Sequence, residues 1–407
     1  MTSMITFPLE WPIAETRIPE RQTRPVLSIV VATYNRTAEM TMAVESICDQ
    51  IDESLSEKVE VIVSDNASSP EHQTAIRDLS IRYPDLVYYF NSMNGDADLQ
   101  WLTAPHRARG EWVWLFGDDD LLAPGGVTHV VNRLEMDRPF FLTLNRCVVD
   151  NDLKNLLSTS KHNVPSKNLD SFIELTKYIG IDQITFITSQ IYNTDIARQI
   201  DTNAYYLRRS GFAQVAYYVE AFSDLPSAYD ATVFVIHRWQ PDAHEKHAFQ
   251  FRHLSICLPR DIAFARDRAG LPADIMERLG GGKSIGQDRF QNLTYVDYLF
   301  HYLLATIANI NIDPADWDFL EAEAQYWRAD RQRDLHEARM LDEALAALRE
   351  NIGVKKLEIE QIQNQTGVPD ALKRLALAAP CHELSQLEQS YFAKAHDAID
   401  VSRRRYS

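Results

Sequence analysis

Apolar residues over the first 130 positions fall into short continuous runs separated by stretches of helical spacing. "VLSIVVA", Val26 to Ala32, is the kind of unbroken run found in parallel strands buried on both faces. The turn "TYNR" follows, and Ala38 to Gln50 then carries apolar residues at helical spacing through Met42, Val44, Ile47 and Ile51. A second run, "VEVIVSD", ends at Asp65; after the turn "NASSP" a helix is predicted from about Glu71 to Arg82. "LVYYF" gives a third strand, Ala97 to Arg109 a third helix, and "EWVWLF" a fourth strand. Strands alternating with helices at short spacing predict an α/β fold, a doubly wound sheet with right-handed crossovers. Ligands of such sheets bind at the carboxyl ends of the strands. "TYNR", "SDNAS" and "GDDD" each fall at one of those ends, so three polar clusters are expected on one rim.

The pattern weakens after Asp150. "FFLTLNRCVV", "ITFITSQIYN" and "ATVFVIHRW" read as strands and "GFAQVAYYVEAF" as a helix. Beyond Pro241 the chain reads as mostly helical. Asp316 to Asn351 has an amphipathic spacing (Leu341, Leu345, Leu348, Ile352) broken at Gly353, and a last helix is predicted from Pro369 to about Val401. Residues 1–25, with four prolines and no periodicity, read as an arm lying over the domain. The expected organisation is therefore an arm at 1–25, an α/β domain at 26–240 and a helical region at 241–407 that binds an acceptor or a second copy of the chain.

The chemistry concentrates in "GDDD". Asp118, Asp119 and Asp120 repel one another, and an apolar strand delivers them together. Hard oxygen donors on a loop suit Mg²⁺ or Mn²⁺, which complete their shells with water and substrate phosphates. The plain alternative is an acidic turn capping the next helix. The two other polar strand ends on the same rim weigh against it.

Composition narrows the partners. The 41 basic residues against 58 acidic ones give a net charge of −17, which argues against nucleic acid as the principal partner. The four cysteines, Cys48, Cys147, Cys257 and Cys381, form no CxxC pair and read as reduced thiols of a cytosolic protein. The N-terminus lacks the basic start and apolar core of a signal peptide. No apolar run reaches the ~18 residues of a membrane span; "YLFHYLLATIANI", from Tyr298, is short and carries His301. The expectation is a cytoplasmic protein with no transmembrane segment and at most peripheral contact with the inner face of the membrane.

"LSIVVATYNR", "VEVIVSDNAS" and "GEWVWLFGDDDLL", in this order and spacing, resemble the family 2 glycosyltransferases of the GT-A fold. The resemblance is strong over residues 26–130 and fades towards 240. It implies a nucleotide-sugar donor, with Thr33, Tyr34, Asn35 and Arg36 lining the nucleotide pocket and Asp65 accepting a hydrogen bond from base or ribose. Arg36 reads equally as a phosphate contact or as a solvated turn residue. The family's DxD motif bridges the diphosphate through a divalent ion, and its register here is open. Gly117 stands where many members have the first aspartate, which places Asp118 near the ribose with Asp119 and Asp120 on the metal; Asp118 and Asp120 as the metal pair is the other reading. A histidine after a late strand completes the metal shell in many such enzymes, a role open to His237 alongside a plain loop position. Inverting members draw their general base from an "ED" pair opening a helix some ninety residues beyond the metal motif. That window here reads "YYLRRSGFAQVAYYVEAFSD", without the pair, and Glu220 and Asp224 are the nearest acids. Glu220, in the middle of an apolar helix, also reads as a solvated position.

Two further motifs fail. "ERLGGGKS" has Glu277 where a phosphate-binding loop needs glycine, and "HEKH" (His244 to His247) is not HExxH. The expected function is transfer of a sugar to a hydroxyl of a bacterial surface glycan or its lipid-linked precursor, by a protein able to self-associate. A protein or small-molecule acceptor is the second reading, and a non-catalytic scaffold of a glycan-assembly complex, favoured by the missing "ED" pair, is the third.

Overall fold

A computed structural model of the chain describes residues 11–206, 208, 211–239, 258–272 and 335–364, with single positions at 275, 279, 376, 380, 383, 386 and 387. "HEKH", the Tyr298 run and the basic tail lie outside the described residues, as do "ERLGGGKS" and the helix expected from Pro369 apart from single positions. The chain forms two compact units, residues 1–295 and 296–407.

The first unit is built on one sheet whose strands are β1 (Ile13–Arg17), β2 (Leu27–Thr33), β3 (Val59–Asp65), β4 (Val87–Asn91), β5 (Trp112–Gly117), β6 (Leu121–Leu122), β7 (Phe141–Asp150), β8 (Leu156–Ser158), β9 (Lys167–Leu169), β10 (Gln190–Asn193) and β11 (Ser227–Trp239). Their spatial order is β1-β4-β3-β2-β5-β10-β7-β11-β6, with β8 on β7 and β9 on β11. The pairs β4–β3, β3–β2, β2–β5 and β7–β11 are parallel. Because β10 runs antiparallel to both β5 and β7, these two still share a direction. Six strands therefore point the same way and end on one rim, the mixed, mostly parallel α/β sheet that the pattern and the resemblance to the GT-A fold led one to expect. The right half departs in detail. "ITFITSQIYN" is not one strand: Ile181–Ile184 is a helical turn, Ile187–Ser189 a 3₁₀ turn, and only Gln190–Asn193 joins the sheet. Part of the arm is itself a strand, β1, paired antiparallel to β4.

The continuous apolar runs are explained by burial on both faces. One face carries Val30, Ile62, Val113, Leu115 and Phe141 against the helices Ala97–Arg107, Phe172–Ile179, Ala213–Phe222 and Leu258–Ala269. The other carries Ile29, Val31, Val61, Val63, Trp114 and Phe116 against Thr37–Cys48, Pro70–Arg82 and Gly126–Asp137. Successive side chains of a strand point to opposite faces, so a strand covered on both must be apolar throughout. One buried acid interrupts the pattern. Glu60, on β3, accepts 2.6 Å from Ser28 Oγ and 3.0 Å from the Arg109 amide, and pairs with the Arg109 guanidinium. This network draws Gly110 against β2, its amide 2.8 Å from Ser28 Oγ.

In the second unit the helix Leu335–Gln363 runs through Gly353, which the sequence pattern had read as its end. A lone glycine inside a helix costs only about 1 kcal/mol, so it does not by itself stop one. No helix among the described residues is long and apolar enough to cross a membrane.

The two glycines give a contrasting prediction. A Cβ on Gly110 would stand 2.6 Å from the Ser28 amide nitrogen and 2.9 Å from the Leu27 carbonyl carbon, both backbone atoms, whereas one on Gly353 meets nothing within 4 Å. Gly110→Ala is expected to destabilise the first unit by about 1–3 kcal/mol, the usual size of an overpacking strain. Gly353→Ala is expected to be neutral or to stabilise its helix by up to about 1 kcal/mol. Urea unfolding of both variants followed by circular dichroism checks this; equal midpoints would contradict it.

Candidate active site

Three turns at the carboxyl ends of β2, β3 and β5 meet, and side chains of each hold the next. After β2, Asn35 adopts a left-handed backbone (φ 54°), a conformation asparagine tolerates better than most residues. Its amide donates to Ser68 Oγ at 2.9 Å, and its side-chain oxygen accepts from the Ser69 amide at 2.8 Å. Thr33 is buried, Tyr34 is exposed, and the Tyr34 amide points at Asp118 Oδ2 at 3.4 Å.

Arg36 closes this turn onto the acidic triplet. Its Nη1 lies 3.1 Å from Asp118 Oδ1 and 2.8 Å from Asp119 Oδ2, so one guanidinium nitrogen serves two carboxylates. Burial pushes Asp118 up to about 6; Arg36 pulls it back and Asp119 adds to the rise. Asp119 is likewise raised by burial and by neighbouring Asp120, with Arg36 and His237 acting against the rise. Burial works to lower the Arg36 pKa, but the two carboxylates outweigh it and hold the guanidinium above its ordinary value.

Asp120 points elsewhere. Its Oδ2 accepts from Thr188 Oγ1, and its Oδ1 lies 3.1 Å from His237 Nδ1 and 3.2 Å from the Arg238 amide. A carboxylate accepts, so in a neutral ring this contact favours the tautomer with its proton on Nδ1 and its lone pair on Nε2. Thr188 sits in the 3₁₀ turn before β10 and also accepts from the Gly117 amide at 3.0 Å. Gly117 is glycine for a local reason. A Cβ there would stand 3.1 Å from Asp120 Oδ2 and Thr188 Oγ1 and 3.2 Å from Asp119 Oδ1, disturbing two of the three carboxylates.

Asp65 is fully buried and its carboxylate turns into its own loop, accepting from the Ser68 amide at 3.2 Å and from Gln73 Nε2 at 3.1 Å. Beneath it lies His72, also fully buried, with Nε2 3.1 Å from Thr33 Oγ1 and Nδ1 2.9 Å from Thr37 Oγ1. Burial lowers its pKa, against the pull of Asp65, so the ring is a neutral tie between the first two turns.

The structure thus brings Thr33, Tyr34, Asn35, Arg36, Asp65, Asp118, Asp119, Asp120 and His237 to one rim. It does not bring Glu220 or Asp224 there. Glu220 accepts from Tyr205 Oη and, at 2.9 Å, from Arg268 Nε, about 10 Å along the helix from its first residue, Ala213. Asp224 lies three residues before β11, at the amino end of the strand whose carboxyl end carries His237, a stretch that β7 matches with seven residue steps, roughly 23 Å. The opening of the helix Ala213–Phe222 is instead occupied by an acid from another element. Asp98 accepts from the Gly211 amide at 2.8 Å and the Ala213 amide at 3.2 Å. Nothing in its local sequence marks it: its helix is legible, but the partner lies 113 residues away.

Oxygens of Asp118 and Asp119 that already share one cation, together with the imidazole of His237 on the same rim, are of the donor types suited to Mg²⁺ or Mn²⁺. Among the described residues no three such side chains converge as they stand. Asp120 is engaged on both oxygens, one with Thr188 and the other with His237 and the Arg238 amide.

With this geometry in view the comparisons are informative. A family model described as glycosyl transferase family 2 matches residues 28–210. The matched stretch takes in all three rim turns. It is 26% identical over 195 residues to the abequosyltransferase RfbV of Salmonella typhimurium, covering 46% of this chain and 58% of that protein. It is 29% identical over 114 residues to a GalNAc(5)-diNAcBac-PP-undecaprenol beta-1,3-glucosyltransferase of Campylobacter jejuni, covering 27% and 34%. The matches thus span less than two thirds of these relatives. Among solved structures, S. aureus TarS 1–349 in complex with UDP aligns at 16% identity and a TM-score of 0.47, over 69% of this chain and 80% of that one.

Asp98 yields a pH prediction. Burial pushes its carboxyl up to about 6, against its two amide donors and with Asp96 and Asp261 adding to the rise. A carboxyl raised in the folded state binds its proton more tightly than in the unfolded chain. Its contribution to stability is full below the unfolded value of about 4 and is lost as pH rises through about 6. Relative to Asp98→Asn, the wild-type protein should therefore lose stability between pH 4 and pH 6, with little further change above. Denaturant unfolding of both proteins across that range measures it, and a constant difference would refute the account.

Proposed function

We propose that the protein is a metal-dependent glycosyltransferase that moves a sugar from a nucleotide-sugar donor to an acceptor hydroxyl in bacterial surface polysaccharide, as in O-antigen, capsule or exopolysaccharide synthesis. The observation that carries the reading is the meeting of three strand-end turns of a family 2 domain at one rim, where Asp118 and Asp119 share a single cationic group. The donor's base and ribose are placed against Thr33, Tyr34, Asn35 and Asp65, with Asp118 beside the ribose, and its diphosphate before Asp118, Asp119 and Arg36. His237, held by Asp120, supplies a further ligand through Nε2. A divalent ion bound there would stabilise the charge that develops on the departing nucleoside diphosphate. Relatives named for abequosyl and glucosyl transfer support the polysaccharide setting. The helical region beyond residue 240 is the part proposed to meet the acceptor, a glycan or lipid-linked glycan, or a second copy. Work on such an acceptor places the chain in the cytoplasm, at most peripherally on the membrane.

One observation favours a second reading. Neither Glu220 nor Asp224 reaches the rim as a general base, which suits a domain that binds a nucleotide sugar without transferring it. Release of free sugar from the donor in the presence of Mn²⁺ separates the two readings.

The test is a thermal-shift screen of UDP-, GDP-, CDP- and dTDP-sugars with and without Mn²⁺. A ligand at a hundred times its Kd adds about 2.7 kcal/mol to the native state, a rise in melting temperature of roughly 5–10 °C for a unit of this size. One donor class should give such a rise with Mn²⁺ and a smaller one without. Asp119→Asn and His237→Ala should lose the metal-dependent part while keeping the metal-free shift. Variants that respond to Mn²⁺ as fully as wild type would overturn the assignment of these residues.

A further inference from the structure

Arg36 competes for the carboxylate oxygens that a metal ion would need. Its Nη1 binds Asp118 Oδ1 and Asp119 Oδ2 at 3.1 and 2.8 Å, the oxygens that the functional reading gives to the cation. The carboxylate side chains are largely buried, 7% and 25% exposed, while the Arg36 side chain is 40% exposed. The guanidinium can therefore leave without opening the core; the carboxylates cannot. A small divalent ion binds carboxylate oxygens at about 2.0–2.1 Å and cannot share the same lone pairs with a guanidinium that it also repels. Arg36 reaches both carboxylates through one nitrogen, whereas a diphosphate can engage its planar fork through two.

We infer that Arg36 is a latch: it holds the metal-binding carboxylates closed until the diphosphate of a nucleotide draws it away, so that nucleotide and metal bind cooperatively. The inference rests on the functional reading above and adds an order of events to it. Two neighbouring acids explain why the protein needs the latch. With Asp118 and Asp119 buried side by side, Arg36 is the guanidinium that both carboxylates share, while Asp120 faces Thr188, His237 and the Arg238 amide. Arg36 also starts in the right place for its second task, on the turn that follows β2 and joins the helix Thr37–Cys48.

The experiment is a calorimetric titration of Mn²⁺ into the full-length wild type, Arg36→Gln and Arg36→Lys, each with and without saturating UDP, GDP, CDP or dTDP. Wild type should bind Mn²⁺ at least about fivefold more tightly with the correct nucleotide than without it, the lower end of couplings between linked sites. Arg36→Gln should bind Mn²⁺ alone at least about fivefold more tightly than wild type does, bind nucleotide alone more weakly, and show almost no coupling between the two. Arg36→Lys, which keeps the charge, should bind Mn²⁺ alone no better than wild type and shows that any gain in the glutamine variant comes from removing that charge. Wild-type and Arg36→Gln proteins with the same Mn²⁺ affinity in the absence of nucleotide would overturn the latch alone. A wild type that binds no Mn²⁺ with any of the nucleotides would overturn the functional reading and the latch with it.

Discussion

Three adjacent carboxylates at the end of a buried strand cannot all face one another in a water-poor site, and the rim is organised around that repulsion. The fold resolves it by direction. Asp118 and Asp119 turn one way, onto Arg36 from the first turn, while Asp120 turns the other, onto Thr188, His237 and a backbone amide. Each answer comes from a different part of the chain, so forming the rim requires β2, β5, the turn before β10 and the end of β11 to be in place together. The absence of a side chain at Gly117 leaves room for the divergence. A strand order that puts β10 and β11 to the right of β5 is thus part of the electrostatics of the site as well as of the packing.

Much of this was legible in the sequence. The unbroken apolar runs give the parallel strands because a strand covered on both faces has no polar positions to reveal a period, and the turn residues after them mark the rim. What the pattern could not give are contacts whose partners are remote. Thr188 lies in a stretch that reads as one long strand, and only its place beside Gly117 makes it a neighbour of the acids. Asp98 caps a helix that opens at Ala213, 115 residues further on, so the acids local to that helix are Glu220 and Asp224, which the fold faces elsewhere. Nothing in the pattern singles out His72, yet its ring, in the first turn of the helix Pro70–Arg82, bridges Thr33 and Thr37. Gly353 shows the opposite error, a residue with weak helix preference overruled by the helix around it.

Cations are placed with equal economy away from the triplet. Arg107 lies between the rings of Trp11 and Tyr89, each about 5.0 Å from its guanidinium carbon, and donates to Ser64 and Asn91 at the ends of β3 and β4. Burial lowers its pKa to about 10, still far above neutrality, so it remains a fixed positive charge beneath the second turn. The arm thereby supports the rim from below: Trp11 donates its indole N–H to the Met93 carbonyl at 2.9 Å and packs beside Gly95, where a Cβ would come within 3.2 Å of its ring.

The same arm decides what the sheet can do to its neighbours. A wide sheet has two open edges, and a long, flat, apolar edge invites a second copy to add its own strand and start a chain of such additions. Here β4 would be that edge, with the exposed backbone of a buried, aromatic strand. β1 covers it with five residues, "IAETR", and carries its own charges outward: Glu15 is tied to Arg77 and Tyr88, and Arg17 reaches two carbonyls beyond β4, at Leu86 and Pro84. At the opposite end of the described sheet β6 is only two residues long. The β4 edge is therefore taken up by a short strand that carries charges, which leaves a second copy little flat, apolar backbone to extend on that side of the described sheet.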